Sequence, residues 1–157
     1  MPNFKSFTLF FIPLLIISSV MVISCKKKEA GTGSKTSSYN DTSSHDVGSD
    51  CMSCHNPGGS NKFWWAVAGT VFKPDSVTLN PGCTVYLFNG PNGTGNLILT
   101  LPVDAKSNFY TSSSISFGNG LYPEVKSLSG EIRYMQSTTI SGNCNSCHNS
   151  SNRIIVN

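Results

Sequence analysis

Two short segments hold the residues whose types and spacing could do chemistry. The first is Cys51-Met52-Ser53-Cys54-His55, the second Cys144-Asn145-Ser146-Cys147-His148. Together they use four of the six cysteines and two of only three histidines. Cys-x-x-Cys-His is the attachment sequence for c-type haem. Two thiols at this spacing can add across the two vinyl groups on one porphyrin edge, and the adjacent imidazole then lies under the iron as its proximal ligand. On this reading Cys51, Cys54, Cys144 and Cys147 hold two haem c groups, with His55 and His148 on the irons. A group held by thioethers cannot diffuse away, which suits a small chain with little core to enclose it.

Two other chemistries use Cys pairs. Four thiolates can form one structural zinc site. The usual gap between such pairs is ~15–20 residues, far less than the stretch from Cys54 to Cys144, and zinc gives no reason for a His after each pair. Local disulfides suit an oxidising compartment but do not need the His either.

Composition narrows the rest. Charged residues make up 12% and hydrophobic ones 38% of 157 residues, which argues against both a charged disordered chain and a polytopic membrane protein. The formal net charge is +3. The excess lies in the first 44 residues, because acidic and basic side chains balance over residues 45–157. A basic nucleic-acid-binding face is therefore not expected.

Lys5 precedes an apolar run from Leu9 to Ile23, the pattern of an export signal. The run ends in Val22-Ile23-Ser24-Cys25, which resembles the lipobox of bacterial lipoproteins. That resemblance implies removal of residues 1–24 and lipidation of Cys25. Lys26 directly after Cys25 resembles outer-membrane sorting, on the periplasmic side or at the cell surface. Residues 25–44, rich in Gly, Ser and Thr, are expected to form a flexible tether.

Between the two Cys-x-x-Cys-His segments the pattern is all-β. Strands are expected at Val67–Phe72, Val77–Leu79, Cys83–Phe88, Leu97–Leu101, Asn108–Thr111, Leu121–Val125 and Glu131–Tyr134. Short strands separated by turn clusters such as Asn89-Gly90-Pro91-Asn92-Gly93 suggest a sandwich. Cys83, on an alternating strand, is expected to be a small buried residue. The order of Gly69-Thr70-Val71, Cys83 to Leu87, Asn108-Phe109-Tyr110 and Gly120-Leu121-Tyr122 resembles the carboxypeptidase-regulatory-like, prealbumin-like or Ig-like antiparallel sandwich over residues 66–134. Ser107 departs from it, standing where that pattern usually has Gly. The expected organisation is a first haem segment at 45–65, the sandwich at 66–134 and a second haem segment at 135–157. If the first and last strands of the sandwich pair antiparallel, both haem segments meet at one edge.

The arrangement from His45 to Ile154 resembles a family of small exported dihaem cytochrome c-like proteins. In multihaem cytochromes a distal His often precedes an attachment motif, so the resemblance implies His45 as a sixth iron ligand, to the first haem or, as the variant, across to the second. Among the methionines, Met135 precedes the second motif and is the candidate ligand for the second iron; its alternative role is a core thioether. The expected function is electron transfer between redox protein partners by a membrane-anchored dihaem protein. The alternatives are a haem enzyme, a peroxidase or small reductase with one open iron, and a non-haem β-sandwich with zinc or disulfide clasps. No Ser-His-Asp set or Gly-rich phosphate loop is present to suggest another catalytic class.

Overall fold

The run Val-Ala-Gly-Thr-Val-Phe becomes β1 (Val67–Phe72), buried at every position. A strand covered on both faces belongs inside a sheet and between layers. The computed structural model, which describes residues 34–59 and 61–157, puts β1 at the centre of a three-stranded sheet. It pairs antiparallel with β4 (Asn108–Thr111) and parallel with β7 (Ile154–Ile155). A second sheet orders β3 (Leu97–Pro102), β2 (Thr84–Phe88), β5 (Tyr122–Lys126) and β6 (Ile132–Tyr134), all antiparallel. Two four-residue helices, α1 (Cys51–Cys54) and α2 (Cys144–Cys147), are the only helices among the described residues. The fold is all-β.

Both sheets feed one core. Val67, Val71 and Phe109 from the first meet Val85, Leu87, Leu101 and Val125 from the second, with Val156 beyond β7. Cys83 is fully buried in the same cluster, and burial pushes its thiol up to about 11. β2 alternates as a half-buried strand should, with Val85 and Leu87 inward. Gly69 on β1 has a packing reason: a Cβ there would collide with the Phe109 ring and lie 3.0 Å from Cys144 Cβ. The bare backbone lets the core and the second Cys-x-x-Cys segment approach β1 together.

Four expectations change. Val77–Leu79 is not a strand; Asp75 Oδ1 accepts the Val77 and Thr78 amides at 2.9 and 2.8 Å, closing a turn, and only Leu79 bridges to Phe72. β7 lies in the segment expected to be outside the sandwich, and its parallel pairing with β1 makes the first sheet mixed. β1 and β6 are not neighbours, since β6 pairs with β5 in the other sheet. The stretch expected as tether packs against the domain from Lys35 on. Thr36 bridges Thr111, Ser37 N–H donates to the Tyr110 carbonyl at 2.9 Å, and Ala105 N–H donates to the Asp41 carbonyl at 3.0 Å. Without this strap β4 would be a bare edge, with unpaired backbone groups exposed.

The β3–β4 connection bears on the Ser107 departure. Asp104 Oδ1 accepts the Lys106 and Asn108 amides at 2.9 and 3.0 Å. This winds the turn so tightly that Ser107 takes φ +69°, a conformation that favours Gly. Ser107 is fully buried there and its hydroxyl has no hydrogen-bond partner.

Candidate functional site

The two Cys-x-x-Cys-His segments fold into the same local structure. In each, one helical turn sets the two cysteines three residues apart on one face. The His that follows caps the turn, with φ/ψ of −95°/56° at His55 and −91°/60° at His148. Its backbone N–H donates to the first cysteine's carbonyl, at 3.0 Å for His55 and 2.8 Å for His148. The N-terminal ends are held by different means. Asp50 Oδ1 accepts from the Met52 and Ser53 amides at 3.1 and 3.2 Å, whereas Asn143 makes no side-chain cap bond. In both turns the inner serine hydroxyl donates back to a carbonyl, Ser53 to Asp50 at 2.6 Å and Ser146 to Asn143 at 2.7 Å.

Both imidazoles are oriented alike. His55 Nδ1 lies 2.9 Å from the Phe63 carbonyl oxygen and His148 Nδ1 lies 2.9 Å from that of Asn152. A carbonyl only accepts, so Nδ1 carries the proton in each ring and Nε2 keeps its lone pair. A backbone acceptor behind the ring is how proteins set the tautomer and direction of a metal-binding imidazole. One face of His55 stacks on Trp65 at 4.6 Å between centroids, and Trp65 meets Tyr110 at 4.7 Å.

The structure brings His45 to His55, with ring centroids 5.8 Å apart. His45 is mostly exposed, and its Nε2 stands 3.8 Å from Asp46 Oδ2. At the second segment, Cys144, Cys147, His148 and Met135 line one cavity of about 300 Å³, walled by apolar residues including Leu87 and Val125. Met135 therefore shares a space with His148 and not with His55.

Among the described residues, the cysteines are free thiols. Burial pushes Cys51 up to about 11. Burial first, and then the neighbouring Cys51, pushes Cys144 up to about 12. Such thiols stay protonated at neutral pH, unlike reactive or metal-ligating thiolates. Among the described residues, no three His, Cys, Asp or Glu side chains are grouped to hold a metal ion.

The segments nevertheless adjoin, and β1 is the reason. Both α1 and α2 pack against it, and the Ala68 amide donates to the Gly142 carbonyl at 2.9 Å, just before α2. Asn145 crosses between them, its Nδ2 donating to the Ser49 carbonyl at 2.7 Å. Arg153 spans the same region, its guanidinium 3.9 Å from the centroid of the Phe72 ring. No site role attached to Asn145, Thr70 or Asn108 in the sequence, where a lone polar residue carries no signal of burial. Cys25 and the apolar run before it lie outside the described residues, and no described helix is long and apolar enough to cross a membrane. No family model matches the chain, and neither a curated protein nor a solved structure is significantly similar to it.

Proposed function

We propose that this chain is an exported, lipid-anchored dihaem c-type cytochrome that carries electrons between redox proteins outside the cytoplasm. The observation that carries this reading is the twinning of the two Cys-x-x-Cys-His turns. Each has paired cysteines on one helical face and an imidazole whose Nδ1 is occupied by a backbone carbonyl, leaving Nε2 free. A zinc or disulfide clasp would not require the same histidine pose twice.

When bound, each haem iron supplies reversible one-electron exchange. The chain's own part is to hold and orient. Cys51 with Cys54, and Cys144 with Cys147, are the covalent anchors, and His55 and His148 are the proximal ligands. Two imidazoles on one metal, at nitrogen–metal distances of ~2 Å, have ring centroids about 6 Å apart. The 5.8 Å between His45 and His55 supports His45 as the second ligand of the first iron. Met135, on the cavity wall with His148, is the candidate for the second. A His–His and a His–Met pair would hold their irons at unlike potentials, the Met site the higher, which sets a direction for electron flow between adjoining centres. The apolar wall of the second cavity, including Leu87 and Val125, would limit water around a haem held there and so favour the less charged form of that group.

Two finer readings accompany this one. The two sheets form a prealbumin-like sandwich that serves as the rigid spacer for both centres, and Cys25 carries the lipid that fixes the protein to the outer membrane. A pyridine haemochrome spectrum of protein from a host able to attach haem c, with intact mass, tests the central claim. Two haem additions per chain are expected. A colourless protein that binds one zinc would overturn it.

A further inference from the structure

Asn145 occupies a variable position of the second segment, yet it is buried and spends its whole amide on the surroundings of the first. Its Oδ1 accepts from Thr70 N–H at 3.2 Å, and its Nδ2 donates to the Ser49 carbonyl at 2.7 Å and to Thr70 Oγ1 at 3.2 Å. Thr70 Oγ1 also accepts from Gly48 N–H at 3.0 Å and donates to Asn108 Oδ1 at 2.7 Å. The Thr70 hydroxyl is thereby used in full, with one donor and two acceptor positions. Asn108 Nδ2 then donates to Ser44 Oγ at 3.0 Å and to the His45 carbonyl at 3.2 Å.

These bonds run from the second segment to both ends of the loop that carries His45. The loop turns through two left-handed residues, Asp46 at φ +50° and Gly48 at φ +77°. A loop so wound keeps its shape only when its surroundings determine it. Its further side-chain anchors are exposed bonds: Lys106 Nζ donates to the Ser44 carbonyl at 2.9 Å, and Cys51 Sγ donates to the Ser49 carbonyl at 3.5 Å. A buried network with every member satisfied specifies one arrangement far better than an exposed bond does.

We infer that Asn145 is a positioning residue for the first centre: through Thr70 and Asn108 it holds the 44–50 loop so that His45 stays opposite His55. The inference rests on the dihaem reading and deepens it, because coordination at the first iron then depends on a residue of the second motif.

The test uses the full chain with Asn145→Ala, Thr70→Val and Thr70→Ser. Thr70→Val keeps the shape of a β-strand residue and removes only the hydroxyl, so it guards against misfolding of Asn145→Ala. Thr70→Ser restores the hydroxyl. Both disruptive variants should keep two haems by mass and gain one carbon monoxide per chain on the reduced protein relative to wild type, as His45 leaves its iron. Thr70→Ser should behave as wild type. In the haem-free chain the Gly48 amide should exchange at least tenfold faster in both disruptive variants. Wild-type carbon monoxide binding in Asn145→Ala and Thr70→Val would overturn the ligand role, and unchanged Gly48 exchange would overturn the network by itself. A wild-type chain that takes up no haem would overturn the dihaem reading, and the ligand role with it, whatever the exchange data show.

Discussion

His45 and His55 lie with ring centroids 5.8 Å apart and planes inclined by 37°, although one belongs to a polar loop and the other caps a helix. Met135, by contrast, lines the cavity of His148. The two candidate ligands thus lie beside different histidines.

Redox titration should resolve that assignment. His45→Met should raise one midpoint potential and leave the other in place, because Met favours reduced iron more than His does. Met135→Ala should shift the other potential. If both substitutions move the same one, the assignment of ligands to separate irons is wrong.

The two attachment turns are independent sets, so removing one should spare the other. A Cys51→Ser, Cys54→Ser double variant is expected to lose one haem and keep the second, read as a single haem addition by mass. Loss of both haems would mean that the second turn cannot form without the first.

Lipidation is a separate question from haem. A Cys25→Ser chain should accumulate unprocessed or move to the soluble fraction with its haem content unchanged. Normal processing together with unchanged membrane partitioning would rule Cys25 out as the anchor.

The strap at 35–41 has a titrating bond. Asp41 is held down at about 2, first by the Ser43 amide, then by the Ser43 hydroxyl and the Tyr110 hydroxyl; the Tyr110 O–H donates to it at 2.8 Å. A carboxyl lowered on folding stabilises the fold above its ordinary value of about 3.9, and that contribution is lost as the pH falls through about 2. Acid unfolding of wild type should therefore steepen between about pH 4 and pH 2. Asp41→Asn should flatten that limb, measured as melting temperature against pH. Asp41 is well exposed to solvent, so the effect is small.

Ser107 offers a stability test at a strained position. Its φ of +69° costs a residue with a Cβ about 1 kcal/mol or more, and its buried hydroxyl has no partner. Ser107→Gly relieves both, against a greater loss of chain entropy on folding. Denaturant unfolding should show a net gain of about 1 kcal/mol. A loss of stability would mean that the hydroxyl has a partner in solution.

The local shape of the two Cys-x-x-Cys segments was legible in the residues because it is set within a few positions. Each Cys pair lies within one helical turn, so the spacing of its thiols follows from helix geometry, whereas the imidazole that follows is aimed by a carbonyl outside the motif. Strands with clear alternation or apolar runs, such as β1 and β2, were legible for the same reason. Long-range partners were not. β7 is two residues long and exists only because β1 offers a free edge, and the strap at 35–41 is a polar sequence made regular by β4. The closeness of the two Cys-x-x-Cys-His segments was anticipated from a pairing of β1 with β6. It arises instead because both segments pack against β1, joined by Asn145. No spacing rule reports that a single Asn will bury its amide against residues far away in sequence, because that bond depends on where two backbone segments happen to cross. The residue types determined the local form of each segment; the packing around β1 decided that the two segments adjoin and that His45 lies beside His55 while Met135 shares a cavity with His148.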